Sequence, residues 1–327
     1  MLTLPMRQQV PDRVLARVGT FVQQKYRIDR ILGVGGMAAV YAATHRNGHR
    51  VAIKFLLDRF GDEPHLRRLF TREAHLANEV GHPGAVPVID DDVDEHGCAF
   101  LVMPLLEGET LRMRWERANR RLPVSEAGVL MSDVLDVLAS AHAKGIVHRD
   151  IKPDNLFITI KGDVRVLDFG IGRHTETDAS ATLTGPMVGT PAFMPPEQAL
   201  GNREAIGPHS DCWSVGATLF ALLSGEFVHL SDNAGAQFVA AAVRPARSLR
   251  EAAPELHSSI IQFVDKALSF DRTARWPSAG AMRDGLIDAF ETALGAPLAT
   301  VAAPVRADLV RELSHPRDDI PSKEAPE

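Results

Sequence analysis

Two regimes of hydrophobic patterning divide the chain. From Tyr26 to about Leu105 the apolar residues fall in short β-prone runs: "YRIDRILGV", "AAVYAATH", "RVAIKFL", "AVPVIDDDV" and "CAFLVMPLL". Asn47-Gly48 separates the second and third runs, a strong hairpin signal, and "DEHG" joins the last two. One helical stripe interrupts them, with Leu66, Leu69, Phe70 and Ala77 in "EPHLRRLFTREAHLANEV" and "GHPG" as its stop. Beyond Gly108 the period becomes helical. "VSEAGVLMSDVLDVLASAHAKG" opens at Ser125 as N-cap and closes at Gly145 as C-cap. Two short strands, "LFITI" and "VRVLDF", turn on "KGD". A long loop then spans roughly residues 170–194, and helices are predicted in "SDCWSVGATLFALLSG", "GAQFVAAAV", "HSSIIQFVDKALSF" and "SAGAMRDGLIDAFETAL".

The predicted fold class is α+β and bilobal. Residues 26–105 form a small antiparallel lobe of five strands and one helix, and residues 106–294 form a larger, mainly helical lobe. The cleft between them is a natural ligand site. Residues 1–25 read as a lead-in of uncertain order. Residues 295–327 mix Ala, Pro and charge and are expected to be disordered, with at most a short helix at "RADLVREL". No internal repeat is found.

Composition narrows the partners. A net charge of −6 weighs against nucleic acid and acidic membrane surfaces. Cys98 and Cys212 lie far apart and are expected to be buried thiols in a reducing compartment. "MLTLPMRQQVPDRVLARVGT" lacks the continuous apolar stretch of a signal peptide. "SVGATLFALLSGEFVHL" carries Glu226 and is too short to span a bilayer comfortably. The expectation is a cytoplasmic protein with no membrane span.

The chemistry concentrates in "AHAKGIVHRDIKPDNLFITI", where Asp150, Lys152, Asp154 and Asn155 crowd between apolar runs. A solvated loop tolerates such a cluster, whereas a site that moves a phosphate and holds a metal requires one. Upstream, "GVGGMAAV" supplies Gly33, Gly35 and Gly36, which let backbone amides approach phosphate oxygens. The same letters fit a dinucleotide fingerprint, with Asp58 about 20 residues on, or a plain tight turn. A dinucleotide motif must open a helix, and here a hairpin follows, so a flap over phosphates is favoured. Lys54 ends the strand "VAIK", either snorkelling into water or facing phosphates, with Glu73 as its carboxylate partner. The arginines of "LRMRWERANRR" read as a solvated helix face or a docking patch.

Taken in order, "GVGGMAAVY", "VAIK", "HRDIKPDN", "DFG", "GTPAFMPPE", "SDCWSVGATLF" and "DRTARW" resemble the eukaryotic-like (Hanks-type) protein serine/threonine kinases, in their bacterial wording. The resemblance covers about residues 26–290. It implies transfer of the γ-phosphate of ATP to Ser/Thr hydroxyls of protein substrates, with Mg²⁺ or, in its place, Mn²⁺.

The resemblance places Leu32, Gly33, Val34, Gly35, Gly36 and Val40 over the nucleotide and Ala52 against adenine, with Met103 as gatekeeper and Leu106 at the hinge. Lys54 would hold phosphates and pair with Glu73. Asp150 would be the catalytic base, Lys152 the γ-phosphate partner, and Asn155 and Asp168 the metal ligands. Glu197 and Arg275 would form a supporting ion pair, and Asp211 would brace the catalytic loop. Thr190 would lie beneath the acceptor. Arg149 would pair with phosphate on Thr182 or Thr184, placed there by autophosphorylation through transient self-association. Ala38 stands for the third loop glycine, and Pro104 where an acidic residue is common. A kinase-shaped scaffold with weak or no transfer is the alternative, and its sign would be loss of Lys54, Asp150, Asn155 or Asp168. All four are present.

Overall fold

The alternating runs of the first third close into an antiparallel sheet of six strands in the order β1-β2-β3-β4-β6-β5. They are β1 (Phe21–Val22), β2 (Tyr26–Val34), β3 (Ala38–His45), β4 (Arg50–Leu56), β5 (Asp90–Val93) and β6 (Ala99–Pro104). The computed structural model describes residues 10–57, 64–169, 191–231 and 233–314. One face of the sheet buries Ile28, Tyr41, Ile53, Phe55 and Phe100 as the small lobe's core. Helix α2 (Pro64–Val80) packs on the sheet through Phe70.

Two expectations are corrected here. The sheet has a sixth strand, because the lead-in is partly structured. Helix α1 (Asp12–Ala16) buries Val14, whose carbonyl accepts the Tyr41 hydroxyl at 3.0 Å, and β1 then pairs with β2. A five-residue helix and a two-residue strand leave too little period to read. The fourth predicted run is also shorter than expected. Residues 85–88 leave the sheet, and Ala85 instead bridges to Val166 in the large lobe.

The large lobe is built on α4 (Val124–Ala143) and α6 (Pro208–Ser224). Both are apolar almost all round, as central core helices must be. Trp213 and Phe220 from α6 pack with Leu130, Leu135 and Phe290 in one core. Helix α3 (Leu111–Arg117) leads in. The helices α5 (Pro196–Ala199), α7 (Ala234–Val243), α8 (Leu249–Ala252), α9 (Ser258–Ala267) and α10 (Ala279–Leu294) complete this lobe. Helix α4 begins at Val124 behind Pro123, so Ser125 is not its N-cap. Proline's fixed φ sets the helix entrance without a side-chain cap.

A second sheet, in the order β7-β8-β9, joins the lobes to the loop chemistry. Its strands are β7 (Gly108–Thr110), β8 (Leu156–Thr159) and β9 (Val164–Val166). The first, "GET", carries no apolar alternation and was not anticipated. The tail is the largest correction. Residues 298–314 form a 17-residue helix, α11 (Leu298–Ser314), with Leu298 and Leu309 buried in the large-lobe core. Pro304 lies inside it and argued against a helix from sequence alone. The rest of the predicted disordered tail, residues 315–327, lies outside the described residues.

Gly108 marks the exit from the hinge. Its φ of +141° lies where side chains are strained, and a Cβ there would sit 2.0 Å from the Ile158 carbonyl oxygen. Gly108→Ala should therefore lower unfolding stability by about 1–3 kcal/mol, through strain and the displaced β7–β8 pairing. Urea denaturation of the full chain measures this, and an unchanged midpoint would show that β7 does not depend on the glycine.

Candidate active site

The glycine loop is the turn of the β2–β3 hairpin. Gly33 pairs with Val40 and Val34 with Ala39, and the Gly35 N–H donates to the Ala38 carbonyl at 2.8 Å. No helix follows, which removes the dinucleotide reading. Leu32 is exposed on β2, and Gly36 sits in the turn. On β4, Ala52 lies beside Met103 of β6, and Lys54 beside Leu101. Leu106 follows β6 in the segment that connects to β7.

Lys54 is nearly buried, and its Nζ meets Asp168 Oδ1 at 2.7 Å. A cation from the small lobe thus meets a carboxylate carried at the end of β9. Glu73 stands on α2, but its side chain lies outside those described. Asp168 takes a left-handed φ of +55°, a conformation held only where surrounding contacts determine it. Those contacts are visible on both sides. Phe169 is fully buried, its ring 4.8 Å from that of His148, and His148 Nε2 donates to the Leu167 carbonyl at 2.8 Å.

The acidic cluster folds on itself. Lys152 Nζ meets Asp150 Oδ2 at 2.7 Å, and Asn155 Nδ2 donates to both the Asp150 carbonyl and Oδ2 at 2.8 Å. With its nitrogen committed to Asp150, Asn155 is left with its oxygen as the group able to meet a cation. Beneath the loop, Asp211 of α6 is fully buried and accepts the N–H groups of His148 and Arg149, each at 2.8 Å, and His142 Nε2 at 2.8 Å. Burial pushes this carboxyl up, but the His142 hydrogen bond and the neighbouring donors outweigh it and hold it below the usual range.

Arg149 is half-buried with a φ of +68°, and its carbonyl accepts from Gln198 at 2.9 Å. Burial lowers its pKa, and the like charges of Arg72 and Arg203 lower it further, against Asp211. The sequence reading named neither Arg72 nor Arg203, nor His142 and Gln198. His142 opens the quoted catalytic stretch but sits in its helical part, the other three lie outside it, and only folding brings them to Arg149 and Asp211. Thr182, Thr184 and Thr190 lie outside the described residues.

Glu197 at the start of α5 and Arg275 form a buried bidentate pair, at 2.9 and 3.0 Å, and Ser210 Oγ donates to the same carboxylate at 2.7 Å. Burial pushes Glu197 up, but the Arg275 hydrogen bond and charge, with Ser210, bring it below the ordinary range. A carboxyl lowered on folding contributes stability above its unfolded pKa of about 4.3, and that contribution is lost as pH falls through the folded value. Glu197→Gln should cost about 3–5 kcal/mol at neutral pH by leaving Arg275 buried without a counter-charge. Its stability should also fall less steeply between neutral and acid pH than that of the wild type. Equal acid slopes would contradict the assignment.

Known proteins resemble this chain in sequence and fold. The protein kinase domain family matches residues 26–286. Serine/threonine-protein kinase Pkn1 of Myxococcus xanthus is 33% identical over 301 residues, which cover 88% of this chain and 43% of that protein. Serine/threonine-protein kinase PknA of Mycobacterium tuberculosis is 33% identical over 275 residues, covering 83% and 62%. The chain thus spans about half the length of these relatives. Among solved structures, the PpkA-294 apo form has a TM-score of 0.68 at 25% identity, covering 82% of this chain and 98% of that one. A cysteine-to-alanine mutant of the PknI kinase domain of Mycobacterium tuberculosis has a TM-score of 0.65 at 22% identity, covering 83% and 97%, and speaks to the fold alone. On this match of ordered motifs, bilobal fold and family model, the chain belongs to the protein kinase domain family.

Proposed function

We propose that the protein transfers the γ-phosphate of ATP to serine or threonine hydroxyls of protein substrates. The observation that carries the reading is the Lys54–Asp168 pair across the lobes beside the interlocked Asp150, Lys152 and Asn155, on a loop that Asp211 braces from below and that the Leu167 N–H joins to the Asp168 segment through the Asn155 carbonyl. The similarity to bacterial serine/threonine kinases supports the acceptor class.

The donor set suits a hard divalent cation. Asp168 offers a carboxylate and Asn155 an amide oxygen, the ligand types that Mg²⁺ prefers, with Mn²⁺ as a substitute. When bound, such an ion neutralises charge on the phosphates. The chain's own groups do the rest. Gly33, Val34, Gly35 and Gly36, with Leu32 and Val40, cover the phosphates and the nucleotide. Ala52, Met103 and Leu106 contact the adenine. Lys54 holds the phosphates, exchanging part of its contact with Asp168 for them, and Glu73 completes that pairing. Asp150 orients the acceptor hydroxyl and takes its proton as the oxygen–phosphorus bond forms, while the bond to the β-phosphate oxygen breaks and ADP leaves. Lys152, already on Asp150, offsets charge on the transferring group. Glu197, Arg275 and Asp211 support these groups and touch no substrate.

Regulation follows from Arg149. Arg72 and Arg203 are like-charged neighbours, and a phosphate on Thr182 or Thr184 would relieve their repulsion through charge-assisted hydrogen bonds. Transient pairing of two molecules would deliver that phosphate, and Thr190 would sit beneath the acceptor. Among the described residues no single helix is long and apolar enough to cross a membrane. A cytoplasmic location belongs to the same proposal.

Transfer of labelled γ-phosphate from Mg-ATP to the protein itself and to a generic protein substrate tests the reading. Label on Ser or Thr should fall at least about 100-fold in Lys54→Met, Asp150→Asn and Asp168→Asn, and vanish on chelation of the metal. Phosphosite mapping should find Thr182 or Thr184 in the wild type and neither in Asp150→Asn. Retained ATP binding without label in the wild type would favour the kinase-shaped scaffold. Phosphate absent from both threonines in active protein would overturn the activation model.

A further inference from the structure

We infer that α11, which lies beyond the residues matched by the family, positions the nucleotide site through Arg306 and Glu312. This rests on the phosphotransfer reading above and adds a part to it. The helix turns 82° away from α10 and runs back across the large lobe. Its contacts fall at both ends of the small sheet β7-β8-β9.

At one end, Arg306 Nη1 donates to the Gly162 carbonyl at 2.7 Å, in the turn between β8 and β9. Its Nη2 grips both oxygens of Asp133 on α4, each at 2.8 Å. The approach is close, because a Cβ on Gly162 would lie 3.2 Å from the Arg306 carbonyl oxygen and 3.3 Å from its Cβ. Gly162 also needs its φ of +77°, so this turn is suited both to its own hairpin and to the helix above it.

At the other end, Glu312 accepts from two arginines of α3. Arg117 Nη1 reaches it at 2.7 Å, and Arg117 Nη2 holds Glu109 of β7 at 2.5 Å. Arg114, nearly buried, contacts Glu312 and holds Glu126 with two hydrogen bonds at 2.7 and 2.8 Å. Arg114 is therefore buried rather than solvated, and Arg117, though exposed, is already engaged by two carboxylates. They form an acid–base lattice that links α11 to the strand leaving the hinge.

The sheet caught between these two contacts bears the site. Asn155 immediately precedes β8, Asp168 lies two residues after β9, and the Ile160 N–H donates to the Glu107 carbonyl beside the hinge at 2.9 Å. A shift of the β8–β9 turn moves the two candidate metal ligands together. A shift of β7 moves the hinge against adenine. Arg306 and Glu312 hold both, so they are positioning residues for the bound nucleotide, and the protein substrate does not contact them.

The test uses the full chain with Arg306→Ala, Glu312→Gln and the double variant Arg306→Ala/Glu312→Ala. Arg311→Ala is the control, since Arg311 is an exposed residue of the same helix. Assays run below the unfolding transition of each variant. The double variant should raise KM for Mg-ATP about 5- to 20-fold, with KM for the protein substrate changed by less than about twofold. Glu312→Gln, which keeps one hydrogen bond, should fall between the double variant and the wild type. Amide hydrogen exchange should accelerate in residues 155–168 of the double variant and stay unchanged in Arg311→Ala.

A lowered unfolding temperature with unchanged KM for Mg-ATP and unchanged exchange in residues 155–168 would overturn the inference, leaving α11 an anchor of the core only. If the double variant does not fold, Glu312→Gln decides by the same two readouts. Exchange is read without substrate. A wild type that transfers no phosphate would therefore overturn the functional reading while this test of α11 still stands.

Discussion

The carboxylate of Asp211 is the constraint on which the site depends. A fully buried charge costs several kcal/mol unless its acceptor positions are filled. Here they are filled by the N–H groups of His148 and Arg149, in the candidate catalytic loop, and by His142. That arrangement leaves the loop few alternatives. Arg149 takes a left-handed φ, His148 is buried against Phe169, and Asp150 emerges facing Lys152 and Asn155. The scaffold behind Asp211 is α6, apolar on nearly every face and therefore fixed at the centre of the large lobe.

Among the described residues, three of the connections between the lobes bear on the site, each of different chemistry, beside the contacts of Lys144 with the Glu79 and Val80 carbonyls and of His82 with Asp136. Lys54 and Asp168 form an ion pair across the cleft. Ala85 and Val166 join through backbone hydrogen bonds. Covalent continuity runs through the hinge into β7, which at once pairs with β8. Two of these three end on the β8–β9 hairpin and its exit to Asp168. Motion between the lobes is thereby coupled to the candidate metal ligands, and an element that steadies the hairpin acts on both.

Much of this was legible in the residues. Alternating runs and Asn47-Gly48 gave the β2–β3–β4 core and decided the glycine loop, because a hairpin follows it. The crowding of Asp150, Lys152 and Asn155 pointed to phosphate and metal chemistry before any fold was known. Other features left no local signal. β7 is three polar residues held by its partner strand. β1 and α1 are too short to show a period. α11 contains Pro304 and an Ala-rich, charged sequence that reads as disorder, and it is stable because Leu298 and Leu309 are buried and Arg306 and Glu312 find partners far away in the chain. Arg114 and Arg117 likewise read as solvated, since their acidic partners lie on other elements.

The central claim is that Asp211 sets the catalytic loop for phosphate transfer. The most direct measurement is kcat for transfer from Mg-ATP by Asp211→Asn, at a temperature where its circular dichroism is native. The amide nitrogen would face a backbone N–H where an oxygen now accepts. The account predicts a kcat about 100-fold lower or less, from displacement of Asp150. A kcat within about twofold of the wild type would contradict it, because the loop would then hold its geometry without the brace.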